Sequence, residues 1–208
     1  MTDSNTVSYL PLLIAVVCGG LGGAIFTWFT NRKFRLPPVL TLALVRDEGE
    51  RGRIGGPTGE NARYYHLRVS NSRRRWSPAT DAQVFLTRLE EPGPNGVFQA
   101  VWVGDIPMRW RNQESSPLTR TIGANADSDV CSVGEKGWMR LMPLITPFSM
   151  VAEKKTGPWR VALLLQVRSA QADSPFFRAE ISWDGVWEAG DTEIKRHLKI
   201  KVTQEEEP

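Results

Sequence analysis

Past Arg35 the chain alternates apolar and polar side chains with a period of two, and this alternation limits its fold more than any other feature. In Trp159–Ser169, Val161, Leu163, Leu165 and Val167 share one face. In Phe176–Asp184, Phe177, Ala179, Ile181 and Trp183 do the same, with Arg178, Glu180 and Ser182 opposite. Ile194–Val202 reads as another strand, with Leu198, Ile200 and Val202 inward and Lys195, His197, Lys199 and Lys201 outward. Earlier, Val39–Arg46, Arg63–Ser70, Ala82–Glu90 and Val97–Val103 have the same character, and Asp129–Val133 and Gly137–Met142 are shorter candidates. No stretch beyond Arg35 shows a 3.6-residue apolar period over ten residues or more. The pattern predicts seven to nine short strands in an antiparallel β-sandwich or barrel over 39–203. Gly49–Glu60 reads as a polar loop, Gln204–Pro208 as an acidic tail, and 104–158 fits no standard strand set.

The N-terminal part has a different pattern. Tyr9 to Thr30 contains no charged residue over 22 positions. As a helix it reaches roughly 33 Å, enough for a hydrocarbon core of about 30 Å. Tyr9 and Trp28 stand where interfacial aromatics stand, and Pro11 falls in the first turn. The expectation is an eight-residue extracytoplasmic start, a membrane-spanning helix over 9–30 and a basic connector over 31–38. Arg32, Lys33 and Arg35 follow the segment, and no Lys or Arg precedes it. Basic flanks stay inside, so the reading is a single-pass inner-membrane protein with its C-terminal domain in the cytoplasm. The three basic residues would contact lipid headgroups. Ala15, Gly19, Gly23 and Thr27 recur at four-residue steps, a small-residue ridge suited to packing on itself or on another membrane subunit.

Composition closes off several chemistries. The chain has 26 Lys plus Arg against 23 Asp plus Glu, a net charge of +3, too little for a sequence-specific nucleic-acid binder. Two cysteines, Cys18 and Cys131, provide neither a disulfide scaffold nor a four-cysteine zinc site. There is no phosphate-binding Gly-x-x-x-x-Gly-Lys-Ser/Thr, no His-Glu-x-x-His, no Gly-x-Ser-x-Gly and no Cys-x-x-Cys. Asp127-x-Asp129 opens like a calcium loop but has Ser132 and Trp138 where such a loop needs glycine and glutamate. His66 and His197 fall on outward faces and read as surface histidines. No metal and no cofactor is expected.

Three features remain as candidates. Arg73-Arg74-Arg75-Trp76 is either an anion, ligand or lipid-headgroup contact or a solvated turn. Trp102, Arg109, Trp110 and Arg111 form either a partner surface or part of the core. Gly137–Val151, apolar and broken by Pro143 and Pro147, is either a buried irregular segment or a docking surface.

The run Tyr64-Tyr65-His66-Leu67-Arg68-Val69-Ser70-Asn71, then Pro78-Ala79, then Val84-Phe85-Leu86, resembles the opening strands of bacterial immunoglobulin-like sandwich modules. That resemblance implies a domain that binds, stacks or spaces rather than catalyses. The leading expectation is a membrane-tethered, non-enzymatic binding or assembly module. The alternative comes from architecture: a short span joined to a β-rich domain looks like the ligand- or nucleotide-sensing membrane effectors of bacterial defence, which oligomerise in the membrane. Arg73–Arg75 would then contact the ligand.

Overall fold

The computed structural model describes residues 23, 36–73, 77–112, 118–147, 149–150 and 154–205. Among these, twelve strands and one short helix form the unit that begins at Pro37. The strands are β1 (Leu40–Leu44), β2 (Glu50–Ile54), β3 (Glu60–Asn71), β4 (Ala79–Pro92), β5 (Phe98–Pro107), β6 (Arg120–Ile122), β7 (Asn125–Gly134), β8 (Trp138–Leu141), β9 (Lys154–Thr156), β10 (Trp159–Arg168), β11 (Phe176–Trp183) and β12 (Leu198–Glu205), with helix α1 (Asp191–His197) before the last.

They make two antiparallel sheets. One runs β1-β3-β7-β8-β9 with β2 also on β3, and the other runs β12-β11-β10-β4-β5 with β6 also on β4. The inward residues of both meet in one hydrophobic cluster. Tyr65, Leu67 and Val69 enter it from β3, Val84, Leu86 and Leu89 from β4, and Val161, Leu163, Leu165 and Val167 from β10. Burying each such side chain is worth about 1.5–3 kcal/mol, which is what fixes the register of strands with one apolar face.

The expected membrane-spanning helix is corrected. Among the described residues no helix is long and apolar enough to cross a membrane. The helix of the unit that begins at Pro37, α1, has seven residues and spans roughly 10 Å, against the ~30 Å a bilayer core requires. It is also strongly polar, with Asp191 and Glu193 in the first turn and Lys195, Arg196 and His197 in the last, an order that suits the helix dipole. Residues 9–30 lie outside the described residues except Gly23, and with them Ala15, Gly19 and Thr27; Arg32, Lys33 and Arg35 lie outside as well. From Pro37 onward the described residues are mainly β with one short helix.

Other expectations also change. Gly49–Glu60 is not simply a loop, since Glu50–Ile54 pairs with Glu60–Tyr64. Ile194–Val202 is not a single strand, since its first four residues finish α1. The middle of the chain does form strands: β6, β7, β8 and β9 all lie between 120 and 156.

One topological detail positions the site. β3 is twelve residues long, and no single strand lines the edge away from β7. β1 pairs with Leu67–Asn71 and β2 with Glu60–Tyr64. Between them the chain leaves the edge at Val45–Gly49, beside His66, whose carbonyl accepts from the Val45 N–H at 3.0 Å. Gly49 makes the turn at φ +69°, and a Cβ there would meet the Tyr65 ring at 2.8 Å.

Candidate functional site

The outer face of β3 carries Tyr64, His66 and Arg68, the residues that alternate with the core set. β7 lies beside it with Asp127 and Asp129 outward. Past β7, residues 109–111 continue the sheet: Trp110 bridges Ser128, Arg111 N–H donates to Asp127 O at 2.9 Å, and Asp129 N–H donates to Arg109 O at 2.8 Å. On the near side, Glu50 of β2 pairs with Tyr64. Three neighbouring strands and the segment 109–111 thus bring opposite charges side by side.

The side chains form two linked clamps. In the first, the Asp127 carboxylate accepts from Arg68 Nε at 2.8 Å and Arg68 Nη2 at 3.1 Å, and from Arg111 Nη1 at 3.4 Å. The Arg68 hydrogen bond, joined by Arg111, holds the Asp127 carboxyl below its ordinary range against the opposing effect of burial. In the second, His66 Nδ1 lies 2.8 Å from Asp129 Oδ1, and Glu50 Oε2 lies 3.3 Å from His66 Nε2. Arg111 Nη2 also donates to Glu50 Oε2, which joins the two clamps. His66 is 7% exposed, so the expectation of a surface histidine is corrected: its face is outward, but neighbouring strands and Arg111 cover it. Its Nε2 is buried with no hydrogen-bond partner.

Three adjoining hollows open over these clamps, with volumes of about 240, 430 and 270 Å³. Arg111 lines all three. Six arginines border the group: Arg46, Arg51, Arg53, Arg68, Arg111 and Arg120. Three lining carboxylates oppose them, Glu50, Asp127 and Asp129, and Asp191 pairs with Arg51 at 2.9 Å, leaving a local excess of +2 among these side chains. Residues 37–208 as a whole carry only +1, so positive charge is concentrated here. Among the described residues no group of three or more His, Cys, Asp or Glu side chains is placed to hold a metal ion.

The candidates from the sequence separate. Arg111 stands at the centre of the cleft. Trp110 does not line a partner surface: it is 0% exposed, and its Nε1 donates to Gln83 Oε1 at 3.0 Å and to Leu118 O at 2.9 Å. Trp102 is buried as well, with Nε1 donating to Ser149 Oγ at 3.2 Å. Arg109 is half-buried on the cleft side, opposite Asp129. Arg73 Nη1 donates to Pro37 O at 2.7 Å, while Arg74, Arg75 and Trp76 lie outside the described residues. Of Gly137–Val151, Met139, Leu141, Met142 and Met150 are buried and Ile145 is exposed.

Nothing in the sequence singles out Glu50, and Asp127-x-Asp129 reads there only as an incomplete calcium loop. Two signals point to the aspartates. Asp127-x-Asp129 has the spacing that puts both carboxylates on one face of a strand, and His66-x-Arg68 has the same spacing on another. Only the pairing of β3 with β7 brings the two faces together.

No family model matches the chain, and neither a curated protein nor a solved structure matches it.

Proposed function

We propose that residues 37–208 act as a non-enzymatic binding module whose ligand is a small anion seated in the cleft over β2, β3 and β7. The observation that carries this reading is the concentration of six arginines against three carboxylates around Arg111, in a domain whose overall charge is only +1. Arginine forks suit oxyanions, and adjoining hollows of this size are in the range of small-molecule sites. Among the described residues, the lining of the hollow beside His66 includes no serine, threonine or cysteine that an Asp–His pair would activate. The likeness of Tyr64–Asn71, Pro78-Ala79 and Val84–Leu86 to immunoglobulin-like modules supports binding over catalysis. Of the anion contacts expected at Arg73–Arg75, Arg73 donates from Nη1 to the Pro37 carbonyl, while Arg74 and Arg75 lie outside the described residues.

The test is calorimetric titration of the full chain with phosphate, sulfate and acetate, beside Arg111→Gln. Binding that weakens about tenfold or more in the variant supports the reading, since a charge-assisted hydrogen bond is worth about 1.5–3 kcal/mol. Equal binding by the two proteins, or none by the wild type at millimolar anion, contradicts it.

A further inference from the structure

We infer that the ligand of the cleft is a small polyanion carrying three separated anionic groups, one for each hollow around Arg111. The inference rests on the cleft being the ligand site.

The six arginines of the cleft fall into two sets. Arg51, Arg68 and Arg111 are tied to carboxylates: Arg51 Nη2 stands 2.9 Å from Asp191 Oδ1, Arg68 Nε stands 2.8 Å from Asp127 Oδ1, and Arg111 bonds to both Glu50 and Asp127. The remaining carboxylate, Asp129, is turned to His66 at 2.8 Å. Arg46, Arg53 and Arg120 differ: among the described residues none of them pairs with a carboxylate. Arg53 Nη1 donates to the Pro57 carbonyl, and Arg120 Nη2 to the Arg111 carbonyl at 3.2 Å. Glu48 is the carboxylate that senses Arg46, and Lys195 already holds it at 3.0 Å.

This second set is distributed one to a hollow. Arg46 lines the hollow of about 240 Å³, Arg53 that of about 270 Å³ and Arg120 that of about 430 Å³, while Arg111 lines all three. The hollows follow β3: the one with Arg53 lies at the Tyr64 end, the one with Arg120 at the Arg68 end, and the one with Arg46 meets both residues. Tyr64 to Arg68 covers roughly 13 Å of strand. A single anion therefore engages one hollow and leaves two of these guanidiniums with no charge to meet. Three anionic groups on one skeleton engage all three. Once the first group is seated the others bind as intramolecular events, so affinity rises with the number of groups although each contact alone is weak.

The experiment is calorimetry on the full chain at neutral pH with two series of probes: acetate, succinate and citrate, and phosphate, pyrophosphate and inositol trisphosphate. The three-group member of at least one series is expected to bind about twentyfold tighter than its one-group member, the worth of two further exposed pairs. Tight binding by citrate alone identifies a polycarboxylate, and by inositol trisphosphate alone a polyphosphate. Arg46→Gln, Arg53→Gln and Arg120→Gln are each expected to weaken the three-group probe about fivefold, whereas a one-group probe loses affinity in one of the three at most. Lys201→Gln removes the same charge from β12 in the other sheet and is expected to change nothing. Arg46 and Arg53 are exposed, so their variants decide the matter should Arg120→Gln, which withdraws a guanidinium stacked on the buried Trp110, fail to fold. A one-group probe bound as tightly as the three-group probe, unchanged three-group binding in the Arg46 and Arg53 variants, or an equal loss in Lys201→Gln overturns the inference and leaves the anion cleft to stand or fall with Arg111→Gln. Absence of binding by every probe overturns both.

Discussion

His66 and Asp129 meet at a β-bulge. On β3 and β7, Tyr65 pairs with Cys131 and His66 with Asp129, so Val130 has no opposite number. Tyr65 and Cys131 both point into the core at 0% exposure, while the histidine and the aspartate face outward 2.8 Å apart. A bulge is a means of re-aiming side chains within a continuous ladder. Here it lets one strand pair serve both the packed interior and the charged cleft.

Asp129→Ala leaves a nine-tenths buried imidazole without its Nδ1 acceptor. The expected cost is about 1–3 kcal/mol in urea unfolding, the penalty for an unsatisfied buried polar group. Asp184→Ala, at the other Asp–His pair, frees only the half-buried His197 and should cost clearly less.

Arg63 is 1% exposed and ties β3 to the segment that carries α1. Nη1 donates to Glu48 O at 2.9 Å, Nη2 to Ala189 O at 2.5 Å, and Nη1 stands 2.8 Å from Asp191 Oδ1. Arg63→Ala should destabilise the fold by about 1–3 kcal/mol in chemical denaturation, since it removes a buried side chain and the donor to the Glu48 and Ala189 carbonyls. Asp191→Asn should cost less, because the carboxylate is exposed and the two carbonyls still hold the guanidinium.

Acid should loosen the first clamp. The carboxyl of Asp127 is held below its ordinary range chiefly by the Arg68 hydrogen bond. A depressed carboxylate contributes stability that is complete above its unfolded pKa and is lost as pH falls through the folded one. The window therefore lies below about pH 4. Melting temperature followed from pH 5 to pH 2 should fall less steeply in Asp127→Asn than in the wild type; parallel curves would remove this carboxylate from the acid response.

Burial alone pushes the Cys131 thiol far up, and the side chain is 0% exposed. Reaction requires a thiolate in contact with solvent. Alkylation of the native chain, read at the Cys131 peptide by mass spectrometry, should be slow and should follow the unfolding equilibrium as urea is added. Rapid labelling without denaturant would show that the core opens locally at β7.

How far the sequence discloses all this depends on where the information lies. β10 and β11 are legible because Val161 to Val167 and Phe177 to Trp183 put an apolar residue at every second position. β2 is not, since Glu50–Ile54 has one apolar residue and pairs by its backbone with no buried face. α1 escapes for a similar reason: Ile194 is its one buried residue, and a single apolar position shows no period. At Trp110 and Arg111 the sequence does not separate core from surface: the run around them fits no strand set, and only the bridge from Trp110 to Ser128 turns the indole inward and leaves the arginine on the cleft. The cleft joins Glu50, His66, Arg111 and Asp129, positions up to 79 residues apart, and their meeting is a property of strand order alone. The break between β1 and β2 that opens it beside His66 leaves no mark in composition.

The most direct measurement is a crystal structure of the full chain grown with and without saturating phosphate. The account predicts an anion bound at Arg111 with the Arg68–Asp127 pair unmoved. A cleft that holds no anion at Arg111 in saturating phosphate would contradict it.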